Sequence, residues 1–297
     1  MTWPIPRPHS KKGLRAKQKR VTRSFSGNML VLFFLLLMSV FMVLPILYTV
    51  VTAFKPVNEL FLYPPKFFVQ NPTLENFTTM VRLVNEMWVP FERYLFNSLL
   101  VAAVGTAGYV AIAAMAAYAL AKYRHKWLKI LYVVVVWAIL FRPEVTGIPQ
   151  YIIISRLGLI NTYWAILLPM MSGSFGVFLV RQFVVTAVPD SVIEAAHIDG
   201  AGEFRLFASI VVPMIKPALL TLSIFTFQGL WNASGVTYIY DESMKVLPVM
   251  LRQIAAAGIA RAGAGAAVAL VLMIPPVVFF LASQSSVLET MSHSGMK

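Results

Sequence analysis

The chain has 297 residues, of which 59% are hydrophobic and only 12% charged, and its mean hydropathy is +0.74. Soluble domains run at about 45–50% and about 25%, so the surplus apolar surface faces lipid, and intrinsic disorder, collagen, coiled coil and a disulfide scaffold are excluded. The absence of cysteine removes disulfides, thiolate metal sites and cysteine nucleophiles together, and the net charge of +13 matters less as a sum than in its distribution along the chain.

A bilayer core needs about 20 predominantly apolar residues per helix. Six stretches meet that requirement, predicting spans at 29–53, 94–121, 128–149, 163–180, 218–240 and 262–283. A basic segment, 1–28, precedes the first span, which is unbroken by charge and carries Pro45 as a kink. Its apolar run is too long for a signal-peptide core of about 7–15 residues. Val51-Thr52-Ala53 would serve as a cleavage sequence, but five further spans follow, and the segment is read as a retained start-transfer span. Between spans one and two lies the loop 55–93, with five prolines and the aromatics Phe61, Tyr63, Phe67 and Phe68. These aromatics suit either a landing surface or an interfacial belt. Span two is rich in small residues, among them Ala102, Gly105, Gly108 and Ala113, and so packs closely inside a bundle. Near the end of span three, Arg142 and Glu144 flank Pro143 as an interfacial ion pair.

Between spans four and five, residues 181–217 make a connection long enough to expect function of it. Ser191 and Glu194 have capping-box spacing, with Asp190 as an alternative N-cap, which predicts a short helix from about Val192. Gly200 is placed to take the left-handed conformation that closes a helix, and a second short helix follows over about 203–211, ending at Pro213 and Pro217. Helix, glycine elbow and helix make a knob, whose small Ala195, Ala196 and Ala201 admit another protein's backbone. Span six leads into a polar tail, 285–297.

With the N-terminus inside, the inner segments carry 16 lysines and arginines against 9 outside, which places both termini in the cytoplasm. The positive charge is thus a topology signal, not a sign of nucleic-acid binding. No ionisable residue occupies the central part of any span, which disfavours proton- or ion-coupled carriers. The four histidines lie in tails or loops without zinc-binding spacing, no nucleophile elbow is present, and no glycine is followed by lysine, so a P-loop is missing. The chain is therefore no enzyme on this reading, and directed transport would draw its energy from another subunit. A structural or assembly subunit remains a competing reading.

The run Glu194-Ala195-Ala196, three residues, Gly200, nine residues, Ile210, one residue, Val212-Pro213 resembles the EAA loop of ABC importer permeases, E-A-A-x3-G-x9-I-x-L-P, with Val212 in place of its leucine. Asp199, Ala201 and Phe207 also stand where sugar-transporting members place these residues. Gly158-Leu159-Ile160-Asn161-Thr162-Tyr163-Trp164 and the tail from Val287 to Lys297 are similar to segments of carbohydrate permeases of the maltose-system type and their oligosaccharide branch.

That resemblance implies an all-α, polytopic membrane protein with six transmembrane helices and the type I ABC importer permease fold, in the bacterial cytoplasmic (inner) membrane. Its permease domain would run over 29–284 with a core over 94–284. The implied partners are a second related permease in a heterodimer, two ABC ATPases, an extracytoplasmic solute-binding protein, membrane lipid and a sugar. ATP and Mg would sit on the ATPases, with no cofactor or metal on this chain. Glu194, Ala195, Ala196, Asp199, Gly200, Ala201 and Phe207 would form the coupling helix that docks on the ATPase. Glu194 would make a charged contact there or cap its own helix. Sugar sites combine a few placed polar groups with an apolar wall, and Asn97, Ser98, Gln228, Trp231 and Asn232 are the polar or aromatic residues within spans that suit this; the alternative is interhelical hydrogen bonding. The same machinery for a peptide, amino acid or anion is the nearest rival, and an anion path should be lined by lysine or arginine.

Overall fold

A computed structural model describes residues 25–86, 88–256 and 261–294, and among these every regular element is helical. The described chain divides between Leu47 and Tyr48 into two compact units. Helix α1 (Phe25–Ala53) carries Pro45 inside and no charged residue. The loop that follows holds α2 (Val57–Leu60) and the amphipathic α3 (Glu75–Asn85), whose Asn76, Met80 and Val84 face inward. Asn76 donates from Nδ2 to the carbonyls of Ala53 (2.9 Å) and Lys55 (2.7 Å), which satisfies two of the carbonyls left open at the end of α1.

The centre of the second unit is α4 (Phe91–Lys122). Its small residues do what the sequence expects of them: side chains of neighbouring helices occupy the space that a larger residue would need. A Cβ on Gly105 would stand 2.4 Å from Leu230 Cδ1, and one on Gly108 would stand 2.3 Å from Met171 Cε. Ala102, Ala113, Ala114 and Ala117 are buried on the same helix.

The third predicted span is corrected. It is two helices, α5 (Lys126–Ile139) and α6 (Pro143–Arg156). A residue before proline is pushed out of the α region, and Arg142 accordingly has ψ 147, ahead of Pro143 in the first turn of α6. At 1.5 Å per residue α5 is about 21 Å long, short of a bilayer core of about 30 Å. Span four is α7 (Trp164–Met171) and α8 (Ser174–Ala187), which together run over 24 apolar residues. Tyr109 of α4 fills the break between them. Its hydroxyl donates to Gly173 O and accepts from Gly176 N, both at 2.7 Å.

Then come α9 (Asp190–Ile198), α10 (Glu203–Leu206), a π-helical turn over Phe207–Val211, α11 (Val212–Met214) and α12 (Lys216–Trp231). The run Glu203–Met214 bends by 78° into α12. Span five is also corrected: helix ends at Trp231, with Asn232 as its cap, and residues 232–246 return as a loop pinned by a 3₁₀ turn at Glu242–Met244. The remaining helices are α13 (Leu247–Ala256) and α14 (Ala262–Ser294), so the sixth helix continues well past the expected end of its span. Residues 1–24 of the basic segment and 295–297 of the tail lie outside the described residues.

Two apolar cores result. One gathers Tyr94, Leu167, Leu230, Trp231, Leu247 and Met250 with their neighbours. The other gathers Tyr109, Val180, Val184, Leu206, Ile215 and Leu222, and roots the knob into the helix bundle.

Candidate functional site

The knob is α9, its turn and α10. The predicted capping box does not form: α9 starts at Asp190, after Pro189, and no side chain caps it. Asp190 is engaged elsewhere. It takes a hydrogen bond from Lys122 Nζ at 2.7 Å, with Arg124 at 3.7 Å, and the same ammonium donates to Val188 O at 2.5 Å. The Lys122 hydrogen bond and charge hold the Asp190 carboxyl below its usual range. The far end closes as the sequence predicts. Gly200 has φ +77, its N–H donates to His197 O at 3.0 Å, and Ala201 N–H donates to Ala196 O at 2.9 Å. These two bonds are those of a Schellman motif, which turns the chain through a left-handed residue. Glu203 then ties the second arm back: it faces His197 Nε2 at 3.0 Å and accepts from Tyr118 Oη at 3.2 Å. Hydrogen bonding, that from Tyr123 foremost, holds its carboxyl below the usual range.

The seven coupling residues predicted from the sequence divide by direction. Glu194, Ala195, Asp199 and Gly200 are exposed. Ala196 is buried, Ala201 packs on the same core, and the Phe207 ring lies 5.6 Å from that of Tyr118. Those three hold the knob to the bundle and do not face outward. Glu194 lies in mid-helix, so the alternative that it caps its own helix falls. Two residues went unnoticed in the sequence: Ile198 is 86% exposed and Phe204 82% exposed, on either side of the glycine turn. Large apolar side chains presented this fully on a short, tightly closed turn are anchors for a partner surface. Their signal was present, since both interrupt an otherwise polar or small-residue segment.

The five predicted pathway residues also separate. Asn97 is fully buried and all its hydrogen-bonding capacity is occupied. Its Nδ2 donates to Ser243 O (2.9 Å) and Lys245 O (2.8 Å), and its Oδ1 accepts from Tyr163 Oη (2.7 Å). Ser98 Oγ accepts from Leu247 N at 2.8 Å. Trp231 is buried, and its Nε1 donates to Leu272 O at 3.0 Å. These three clamp the 242–247 segment and α14. Gln228 and Asn232 are exposed and line a cavity of about 560 Å³ between α12 and α14. Its wall includes Phe227 and Phe279, stacked at 4.3 Å between centroids and 9° between planes. The cavity is apolar with a few amides, and no charged side chain lines it. Such a surface suits a ligand with polar edges and a flat apolar face. Among the described residues no group of three His, Asp or Glu side chains is arranged to hold a metal ion.

The model of the family described as "Binding-protein-dependent transport system inner membrane component" matches residues 109–290. The chain is 30% identical over 258 residues to the "Probable ABC transporter permease protein YurM" of Bacillus subtilis (strain 168), covering 84% of this chain and 81% of that protein. To the "Polygalacturonan/rhamnogalacturonan transport system permease protein YtcP" of the same organism it is 29% identical over 229 residues, covering 76% of this chain and 77% of the other. Among solved structures, a chain of a bacterial ABC transporter involved in the import of the acidic polysaccharide alginate superposes with a TM-score of 0.76 at 19% identity. The superposition covers 89% of this chain and 98% of that one.

Proposed function

From a chain that belongs to the family of binding-protein-dependent transport system inner membrane components, and is thus a membrane permease subunit and not itself an ATPase, we propose a sugar or oligosaccharide importer. In it this chain would form half of the translocation pathway, alongside a second, related permease. Its six crossings would be α1, α4, α5 with the turn after it, α7 with α8, α12 and α14, with both termini on the cytoplasmic side of a bacterial inner membrane. The excess of inner-side lysine and arginine supports that orientation. A solute-binding protein outside would deliver the sugar, and two ABC ATPases inside would bind ATP and Mg. The similarity to permeases named for saccharide transport and the uncharged cavity beside Phe227 and Phe279 support a sugar over a peptide or amino acid.

The observation that carries this reading is the knob. It is braced to α4 by Lys122 and Tyr118, closed by Gly200, and offers Ile198, Phe204 and the Glu194 carboxylate to a partner. Seated in a groove of the ATPase, it would be displaced as the ATPases close, and the bundle would switch between two packings by rigid-body motion. The test is co-purification from the native host under gentle solubilisation, comparing wild type with Phe204→Asp and Ile198→Asp. Both side chains are exposed, so neither substitution disturbs the fold, and the ATPase should be lost while the second permease is retained. Recovery of the ATPase at wild-type level with both variants refutes the docking role.

A further inference from the structure

Beyond the uncharged cavity, the outer side of the chain carries a series of cavities joined through shared residues. One of about 460 Å³ is lined by Tyr240, Lys245, Arg252 and Gln253, among others. A second, of about 250 Å³, is lined by Arg252 on one side and by Asn232, Ala269 and Leu272 on the other. Those last three also line the cavity that holds Phe227 and Phe279. Arg252 therefore stands at the passage between the outer cavity and the inner one.

The charges around it are unequal in a telling way. Lys245 is not free: its Nζ lies 2.5 Å from Glu242 Oε2, and Tyr94 Oη donates to the other oxygen of that carboxylate at 2.8 Å. Glu86 and Glu242 line a separate cavity on the far side of Gln253. Arg252 is exposed on α13 and makes no ion pair or hydrogen bond with any described residue. The passage thus presents one uncompensated guanidinium, with the exposed ring of Tyr240 and the amide of Gln253 beside it. A guanidinium offers a planar fork of donors that matches a carboxylate in two parallel hydrogen bonds, and such charge-assisted pairs are about twice as strong as neutral ones. Further in, no charged residue waits to receive a second anionic group.

We propose that Arg252 selects the charge of the cargo, so that the permease takes a short saccharide bearing a single carboxylate, held at Arg252 while its neutral part occupies the cavity beside Phe227 and Phe279. This rests on the sugar-importer reading and narrows it. A fully neutral saccharide leaves the guanidinium unpaired. A polyanionic one, or a phosphate dianion, must bring charge into a cavity lined by amides and hydrocarbon, where an unpaired anion is costly.

The experiment uses the complete transporter in proteoliposomes, with its binding protein and ATP. Uptake is measured for matched probes: galactobiose, cellobiose and rhamnosyl-galactose, each beside the counterpart in which one terminal sugar is a uronate, and beside its monophosphate. In wild type, one uronate probe should be taken up at least tenfold better than its neutral partner and its phosphate. Arg252→Gln should remove that preference by lowering uronate uptake roughly 10- to 100-fold, the range of one charge-assisted pair, while leaving neutral uptake unchanged. Arg252→Lys should restore it in part. Equal loss of neutral and acidic uptake in Arg252→Gln makes the residue a docking or structural contact and overturns the proposal, as does wild-type preference for a neutral or phosphorylated probe. A complex that hydrolyses ATP yet imports no saccharide of the set overturns the sugar reading itself.

Discussion

Replacing Asn97 by alanine separates a structural clamp from a substrate contact. In the structure the side chain is enclosed and holds three partners: the carbonyls of Ser243 and Lys245 and the hydroxyl of Tyr163. Truncation leaves all three without a protein partner, and a buried polar group so stranded costs about 1–3 kcal/mol. Water reaches the edge of the 242–247 segment, so the lower part of that range applies to the two carbonyls, and the total is about 3–4 kcal/mol. Against a net folding stability of about 5–15 kcal/mol that is a large fraction. Ser98→Ala removes one acceptor, for the Leu247 N–H, and should cost only about 1 kcal/mol. The assay is thermal denaturation of the purified complex in detergent with no sugar present: Asn97→Ala should melt well below wild type and Ser98→Ala slightly below. Asn97→Asp provides a second measure, because it keeps the Tyr163 contact but sets an oxygen against two carbonyls. An Asn97→Ala protein that melts like wild type and yet fails in uptake would refute the clamp and return the residue to the sugar path.

Gly176→Ala would place a Cβ 2.5 Å from Tyr109 Oη and 2.9 Å from Leu222 Cδ1, a clash inside the second core; overpacking of this kind costs about 1–3 kcal/mol, read as a fall in melting temperature. Gly200 has open space around it but φ +77, so Gly200→Ala should cost only about 1–2 kcal/mol of left-handed strain and retain ATPase binding. Gly200→Pro cannot reach that φ and loses the bond to His197 O, and should lose the ATPase on co-purification. Because the folded Asp190 and Glu203 carboxyls titrate below their unfolded values of about 3.9 and about 4.3, what they contribute is complete above those values and is lost as pH falls through the lower folded ones. ATPase binding measured from pH 5.5 to 8 should therefore show no step from these two groups, and Asp190→Asn should weaken it across the whole range.

The parts of the fold that sequence revealed are those decided by local chemistry. Gly200 is legible because a helix that stops and turns sharply needs a residue that tolerates positive φ, and the small residues of α4 are legible because close approach needs missing side chains. Hydropathy misled where it averages over backbone direction. Residues 128–149 are apolar enough to span, but Pro143 forces Arg142 out of the helix and splits the segment. Val236, Tyr238 and Ile239 extend the apolar run after Trp231, although Asn232 and Gly235, the latter at φ +59, have already turned the chain. The capping box failed for a tertiary reason: Asp190 is drawn to Lys122, 68 positions earlier in the chain, and no sequence window reports that pair. The pathway residues failed likewise. Asn97 and Gln228 look alike as amides within apolar helices, and only the return of the 242–247 segment over α4 occupies the first and leaves the second open.

Helix α4 connects the candidate sites physically. At its outer end Asn97 and Ser98 hold the segment that leads into α13, the helix of Arg252. In its middle Tyr109 fills the break between α7 and α8 with two hydrogen bonds, and Gly105 and Gly108 let α12 and α7 seat against it. At its inner end Tyr118 and Lys122 grip both arms of the knob, through Glu203 and Asp190. A bundle built this way has little slack along its length, because close-packed interiors transmit displacement and do not absorb it. Motion of the knob must move the inner end of α4, and α4 cannot shift as a unit without shifting the clamp beside the cavities. The broken helices beside it relieve the strain, since α5–α6 and α7–α8 each have a non-helical joint at which the chain can bend. Rigid α4 flanked by jointed neighbours is the arrangement that lets a small displacement at Ile198 and Phe204 reach the cavities beyond Asn232.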